Sequence, residues 1–379
     1  MNSSLAGRKD DLFRIAGEFR PVHTLSEIRE FGNGNINRTY LVSVQASPGE
    51  RFVLQRINTH VFPKPELVMK NIRAFTNHAA RKLRASPPPD NRRWVVPHIV
   101  QTSRGEDGFR DTDGSFWRAI RFVEHAVAHD TLQTATHAHE AGRALGIFHS
   151  LVSDLPCDEL SDTLEGFHVT PRYLAQFDEA VAAKQPTDSA ECSHALRCIE
   201  KHRGFAGILE QAKSCGRLQL RPIHGDPKVN NIMLDEATGR AVSMIDLDTV
   251  KPGLVHYDIG DCLRSGCNPL GEETAEWELV RFDTDMAREI LRGYLGEARS
   301  FLTREDFAFI PDAIRLIAFE LGLRFFTDHL NGDIYFKAVF SGQNLRRALV
   351  QFRLCESIEN HAGEIRMITE DLAQQPPVA

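Results

Sequence analysis

An acid, an amide and a second acid stand in this chain at a spacing suited to moving a phosphoryl group. The stretch Ile223-His224-Gly225-Asp226-Pro227-Lys228-Val229-Asn230-Asn231 is followed, one hairpin later, by Ile245-Asp246-Leu247-Asp248. In a His-x-Asp-x-x-x-x-Asn loop the Asp takes or orients the proton of an acceptor hydroxyl, and the Asn holds a divalent cation. Asp226 fits the first role and Asn231 the second. Magnesium favours hard oxygen ligands and keeps several waters, so Asn231, one carboxylate from Asp246 and the phosphates of a nucleotide make a sufficient site. Asp248 would share a face with Asp246 in an extended strand and is a candidate auxiliary ligand. Asp and Asn beside Gly and Pro are also ordinary turn residues. A turn alone does not account for three such groups spread over a loop and the end of a hairpin. His224 is expected to brace the loop by hydrogen bonding.

The elements that must position these groups are short. Leu218 to Ile223, Ile232 to Leu234 and Ala241 to Ile245 are apolar runs of strand length. The polar turn from Asp235 to Arg240, which contains Gly239, joins the last two, and folding it back brings Asp246 beside Asn231. Far upstream, Gly32, Asn33, Gly34 and Asn35 precede strands over Thr39 to Val44 and Arg51 to Ile57. These four read as a flap over phosphates, because backbone N–H groups approach an anion closely only where side chains are small and positive φ is tolerated. A plain hairpin turn has the same composition. Arg56, at the end of the second strand, is the expected phosphate-binding cation; a register shift of one puts Gln55 there instead. A helix over Pro65 to Leu83 follows, with Glu66 either paired to Arg56 or solvated in its first turn. Ser86 to Asp90 breaks the chain, and strands are expected near Trp94 to Gln101 and Phe116 to Val123. Glu124 opens a stretch where strand gives way to helix, a place for a nucleotide base to bond to backbone. A helix over Ala138 to Val152 comes next, and residues 280 to 370 read as helices.

Size and composition narrow the classes. At 379 residues the chain is too long for one small core and fits two lobes. Hydrophobic residues at 42% and charged residues at 26% mark a soluble globular protein. A net charge of -7 argues against nucleic acid as a partner. There is no apolar run long enough for a membrane span, and residues 1 to 20 lack an apolar signal region. Seven cysteines without Cys-x-x-Cys spacing read as reduced thiols in a cytoplasm, with neither a zinc site nor a disulfide framework.

The motif His224-Gly225-Asp226 with Asn231, followed by Ile245-Asp246, resembles that of the aminoglycoside phosphotransferase and choline kinase superfamily. Within it, the chain is most similar to the N-acetylhexosamine 1-kinases, through Phe52 to Asn58, Ile245 to Gly253 and Arg324 to Asp333. The resemblance spans most of the chain. It implies an α+β, protein-kinase-like two-lobed fold, with a small N-terminal lobe built on an antiparallel sheet and a larger, mainly helical C-terminal lobe. The lobes are expected over residues 1-123, which bind nucleotide, and 124-379, which carry catalysis and the acceptor. The resemblance also implies ATP as donor, Mg2+ as cofactor and the anomeric hydroxyl of an N-acetylhexosamine (GlcNAc or GalNAc) as acceptor. Asp226 inherits the base, and Asn231 and Asp246 inherit the metal.

Arg324 matches a sugar-contacting position. It lies among Leu321, Leu323, Phe325 and Phe326, where an unpaired guanidinium costs several kcal/mol to bury. Contact with a substrate and ion pairing with Glu320 or Asp328, at i-4 and i+4, both meet that need. His168, Arg172 and Arg264 are further candidates for the acceptor pocket. Asp258, Asp261 and Arg264 as braces of the loop after the metal site are the alternative. Protein kinases carry a Lys where this chain reads Val53-Leu54-Gln55-Arg56. A kinase for choline, ethanolamine, an aminoglycoside or homoserine is the nearest rival. A cationic acceptor calls for acids or an aromatic cage, and at 8% aromatic residues the chain shows no obvious cage. A nucleotide-binding pseudokinase module is the rival from another class. Oligomeric state has no signature in the sequence.

Overall fold

Alternation of apolar and polar residues makes the first third of the chain mainly an antiparallel sheet. In the computed structural model, which describes residues 11–32, 34, 36–45, 50–88, 90, 92–184 and 186–375, β1 (Leu25–Glu30), β2 (Arg38–Val44) and β3 (Arg51–Arg56) pair antiparallel in order. β3 continues onto β6 (Phe116–Arg121), which also pairs with β4 (Ile99–Val100) and β5 (Phe109–Arg110). Side chains alternate across a strand, so Phe52 and Leu54 point to one face and Val53 and Gln55 to the other. The first face packs on Val42, Val44, Trp117, Ala119 and the helical stretch at 11–17 through Ile15 and Ala16. The second face lines a cavity.

Helix α1 (Pro65–Ala85) begins at a proline, whose missing N–H is harmless in the first turn. It buries Val68, Met69, Ile72, Phe75 and Ala79, an i, i+3, i+4, i+7 stripe. Its buried Asn71 donates to the carbonyls of Ser161 (2.7 Å) and Val250 (2.8 Å) and accepts from Ser161 N–H (2.9 Å). These bonds tie the helix to the larger, helical part of the molecule.

That part holds α2 (Ala135–Val152), α3 (Thr170–Ala183), α4 (Ala190–His202) and α5 (Ile208–Ser214). After the segment 221–253 come α6 (Val255–Gly266), α7 (Thr284–Ala298), α8 (Arg304–Leu330), α9 (Gln343–Asn360) and α10 (Ala362–Gln374). Helices α2 and α7 approach closely because both are glycine at the crossing: a Cβ on Gly142 would lie 1.9 Å from the Ile290 carbonyl oxygen. One on Gly293 would lie 2.0 Å from that of His139. Helix α8 starts at a capping box between Thr303 and Asp306 and buries residues all round, as a central helix must.

Between these halves lies the expected hairpin, β9 (Ile232–Asp235) and β10 (Ala241–Met244), with β7 (Ala126–Val127) added to β9. A second pair, β8 (Arg221–Ile223) with β11 (Lys251–Gly253), closes behind it. The architecture is α+β, with an antiparallel sheet in the N-terminal region and a helical C-terminal part. Two local expectations fail. The strand over Trp94 to Gln101 shrinks to Ile99–Val100. Asp246 to Asp248 are not extended: Asp246 has φ 63°, and Leu247–Thr249 form a single 3-10 turn. Among the described residues no helix is long and apolar enough to cross a membrane.

Candidate active site

A cavity of about 690 Å³ opens between the inner face of the sheet and the hairpin, and Asp226, Asn231, Asp246 and Asp248 all line it. Its floor is built by backbone anchoring. Both carboxylate oxygens of Asp258, on α6, accept backbone N–H groups of the loop, from His224 at 2.7 Å and Gly225 at 2.8 Å. His149 Nε2 lies 2.8 Å from the same carboxylate, and its Nδ1 lies 3.0 Å from the Tyr294 hydroxyl. Gly225 has φ 85°, and a Cβ there would sit 2.7 Å from the Thr249 carbonyl oxygen, so glycine is required. His224 is fully buried, with Nε2 3.0 Å from the Ile245 carbonyl, and it braces the loop against the hairpin. Ile245 N–H donates to the Asn231 carbonyl (2.9 Å), which sets Asp246 next to Asn231.

The reactive groups are arranged around Asp226. Its Oδ2 accepts from Lys228 Nζ at 2.8 Å and from Asn231 Nδ2 at 3.1 Å. Burial raises the Asp226 carboxyl, but the Lys228 ammonium outweighs it and holds the group below the ordinary carboxylate range. Burial lowers Lys228, and Asp226 and Asp246 more than reverse that. Asn231 Nδ2 also donates to the Asp226 carbonyl (2.7 Å), so its Oδ1 is left as an acceptor with no donor among the described residues. Asp246 has no hydrogen-bond partner there either. Its setting, then Asp248 and Asp226, push its carboxyl up to about 7, a rise that water in the open cavity tempers.

These groups fit a hard divalent cation. Lys228 is taken by Asp226, and Arg264 by Asp261 (2.6 Å) and Glu272 (3.0 Å), so Asp246 is left without a cation in contact. One amide oxygen and adjacent carboxylates are magnesium-type donors. Among the described residues no set of three His, Cys, Asp or Glu side chains converges as a complete metal cage. A cation held by these few protein ligands would complete its shell with waters or with the phosphates of a bound nucleotide.

The other anticipated residues divide. Gly32, with φ 76°, and Gly34 line the cavity, whereas Asn33 and Asn35 lie outside the described residues. Arg56 does not line it: the strand's two-residue period puts Gln55 on the cavity face and turns Arg56 away to Asp113, 3.3 Å distant. Glu66 pairs with Arg110 (2.5 Å), not with Arg56. Glu124 is held by Arg51 and is not in the cavity wall, although its neighbours Val123 and Ala126 are. Arg172 is exposed and pairs with Glu165 at 3.3 Å. His168 is buried beneath the loop, with Nε2 2.8 Å from the Gly225 carbonyl and Nδ1 2.9 Å from Glu320. Arg264 does line the cavity, with its guanidinium committed to Asp261 and Glu272.

Arg324 is not among the residues that line the cavity; it occupies an aromatic cage. Its guanidinium carbon lies 4.9 Å from the ring centre of Tyr173, 5.0 Å from Phe167, 5.4 Å from Phe336 and 5.9 Å from Tyr335. Neither expected partner on α8 holds it. Glu320 is taken by His168 and by the Thr170 hydroxyl (2.6 Å), and Asp328 accepts backbone N–H groups of Ile334, Tyr335 and Phe336. Arg324 has no hydrogen-bond or ion-pair partner among the described residues. Its cage was invisible in sequence because the rings come from two segments more than 160 residues apart (173 to 335).

Three further residues stand at the site. Lys228 is signalled in the sequence as a cation two residues after the acid, and Gln55 was expected there as the alternative to Arg56, whereas Arg118 had no signal. Gln55 and Arg118 are direct cross-strand partners, and Arg118, only 2% exposed, closes on Asp248. Such pairing depends on a strand register that the sequence does not display.

Comparison with known proteins bears on identity. Residues 27–294 match the model of the phosphotransferase enzyme family, well over half of the chain. The fold is similar to that of a microcompartment-associated aminopropanol kinase, with a TM-score of 0.61 at 15% identity, covering 94% of this chain and 98% of that one. An aminoglycoside phosphotransferase from Alicyclobacillus acidocaldarius gives 0.61 at 16%, covering 94% and 96%. An amicoumacin kinase solved in complex with AMP-PNP, Ca2+ and Ami gives 0.57 at 15%, covering 95% and 96%. At such identities the structural likeness speaks to fold, while the family match speaks to chemistry, and by that match the chain belongs to the phosphotransferase enzyme family.

Proposed function

We propose that this phosphotransferase moves the γ-phosphoryl group of ATP to a sugar hydroxyl, the anomeric hydroxyl of an N-acetylhexosamine such as GlcNAc or GalNAc. The observation that carries the chemistry is the meeting of Asp226, Asn231 and Asp246 in one cavity. Asp226, kept ionised by Lys228, accepts the proton of the acceptor hydroxyl as that oxygen bonds to phosphorus and the bond to the leaving ADP breaks. Asn231 and Asp246 hold Mg2+, which supplies the neutralisation of phosphate charge that this acid-rich wall lacks. The solved complex of the amicoumacin kinase with AMP-PNP and Ca2+ supports a nucleotide and a divalent cation here by analogy. Gly32 and Gly34 lie over the phosphates, and the lobe boundary falls between residues 123 and 124. The enzyme works in the cytoplasm.

Arg324 supports a neutral, hydroxyl-rich acceptor. An aromatic cage is the usual receptor for a quaternary or primary ammonium. In this chain the cage is already filled by the protein's own cation, which repels a second one and offers N–H donors to hydroxyl or carbonyl oxygens. Choline, ethanolamine and aminoglycosides are disfavoured on that ground, although most of the structural neighbours are kinases of such amines by name. A pseudokinase is disfavoured because all of the acid and amide groups are retained.

The test is a panel of acceptors with the purified protein, ATP and Mg2+, read by ADP release and by mass of the product. Formation of an N-acetylhexosamine 1-phosphate is expected. Turnover of amino alcohols with none of hexosamines removes the sugar reading, and no turnover with any acceptor favours the pseudokinase.

A further inference from the structure

We infer that Arg118, on β6, is the protein cation that grips the nucleotide's phosphates, in place of a lysine on β3. The inference rests on the kinase reading above and adds a residue to it. Arg118 stands directly opposite Gln55 in the sheet, on the face that lines the cavity. Gln55 Oε1 accepts from Arg118 Nε at 2.9 Å and from Nη2 at 2.7 Å, while Asp248 closes on Nη2 from the hairpin side. Gln55 itself is fixed by donation from Nε2 to the Thr39 hydroxyl (3.2 Å). The remaining nitrogen, Nη1, is buried without a partner.

In a guanidinium only 2% exposed, whose charge meets Asp248 on one side, one nitrogen is left unpaired. Leaving a buried charged donor unsatisfied costs more than any neutral hydrogen bond returns. The unpaired edge belongs to a planar fork suited to phosphate oxygens, on a side chain that lines the cavity. Arg264, the other arginine buried in this wall, has no such vacancy, because Asp261 and Glu272 engage all three of its nitrogens. Lys228 is held by Asp226 at the reacting end. Arg56, whose position in the sequence suggested this role, faces away. Gln55 is then a positioning residue: neutral where a lysine would carry charge, it orients the charge supplied by the next strand.

The experiment measures dissociation constants of ADP with Mg2+, and of adenosine, by calorimetry on the full chain. Arg118→Met is expected to weaken ADP about 10- to 100-fold while adenosine stays within about twofold, and Arg118→Lys to recover part of the loss. Gln55→Met keeps the charge but frees its orientation, and it serves if Arg118→Met does not fold. It is expected to weaken ADP selectively, by a smaller factor. Unchanged ADP affinity in Arg118→Met, or in a folded Gln55→Met when that variant stands in, overturns the assignment. Equal losses for ADP and adenosine do the same, since that pattern marks a purely structural link. A wild-type chain that binds neither ligand overturns the kinase reading itself and this inference with it, whereas tight wild-type binding with an indifferent variant removes Arg118 alone.

Discussion

His168 Nε2 lies 2.8 Å from the carbonyl oxygen of Gly225, and through it the helix that carries Arg324 is joined to the loop that carries Asp226. The other ring nitrogen of His168 meets Glu320, one turn before Arg324 on α8. Helix α8 and the loop at 223–231 are thereby a single hydrogen-bonded unit. His168 holds a left-handed backbone (φ 64°), a conformation that a non-glycine residue keeps only where its surroundings insist.

That unit titrates. Burial alone lowers the His168 imidazole, but the Glu320 carboxylate outweighs it and raises the group above its ordinary value. A raised histidine contributes stability that is fully present below the unfolded value of about 6.5 and is lost as pH climbs through the higher folded value. The facing groups that act with it are Glu320, Arg324 and Tyr257. Thermal unfolding midpoints of the wild type should fall as pH rises above neutrality, and His168→Gln should flatten that slope while losing about 3 kcal/mol at pH 6. Parallel slopes in both proteins count against the ion pair.

Asp226→Asn should retain ADP affinity within a few-fold and reduce kcat by about 10²- to 10⁴-fold, the usual share of a general base. Steady-state kinetics with calorimetry on the same preparation separates the two effects. Near-normal turnover in the folded variant would falsify the assignment of the base.

Asp246→Ala should remove metal dependence from nucleotide binding. In the wild type, chelation of divalent ions is expected to weaken ADP by about tenfold or more, because the cavity's own acids then face the phosphates uncompensated. In the variant the affinity should be weak with or without the chelator. A variant that still responds to Mg2+ like the wild type rules out Asp246 as a ligand.

Arg324→Ala should raise the acceptor KM about 10- to 100-fold and leave ADP affinity unchanged. It also empties the aromatic cage. Choline and ethanolamine, tested against both proteins, should bind more tightly to the variant than to the wild type. Equal behaviour of the two proteins toward sugar and amine removes Arg324 from the acceptor site.

Packing offers a check independent of chemistry. Gly142→Ala puts a Cβ against the Ile290 carbonyl, and because the contact is backbone it cannot rotate away; a loss of about 3 kcal/mol in unfolding free energy is expected. Chemical denaturation reads it directly.

The convergence of Asp226, Asn231 and Asp246 was legible because it is local: the first two lie five residues apart, and the hairpin that brings Asp246 to them is bounded by an obvious turn. Helix α1 was legible from its stripe and its proline. What could not be read depends on register and on distant chain. Nothing in Val53-Leu54-Gln55-Arg56 says which of Gln55 and Arg56 faces inward until the pairing with β6 is known. The composition argument against an aromatic cage failed because 8% aromatic residues suffice when tertiary structure gathers four around one guanidinium. The expected extended run at Asp246 failed because the residue turns into a left-handed backbone, which Asp tolerates better than most residues and which apolar alternation does not reveal.

The clamp at Asn71 has a bearing on control. Kinases that are switched often work by swinging the helix of the small lobe out of place. Here that movement would have to rupture the bonds from Asn71 to Ser161 and Val250 together, in a buried setting where water does not replace them at once. Fastened in this way, the helix moves with the helical part of the molecule, and detaching it costs two buried partnerships at once.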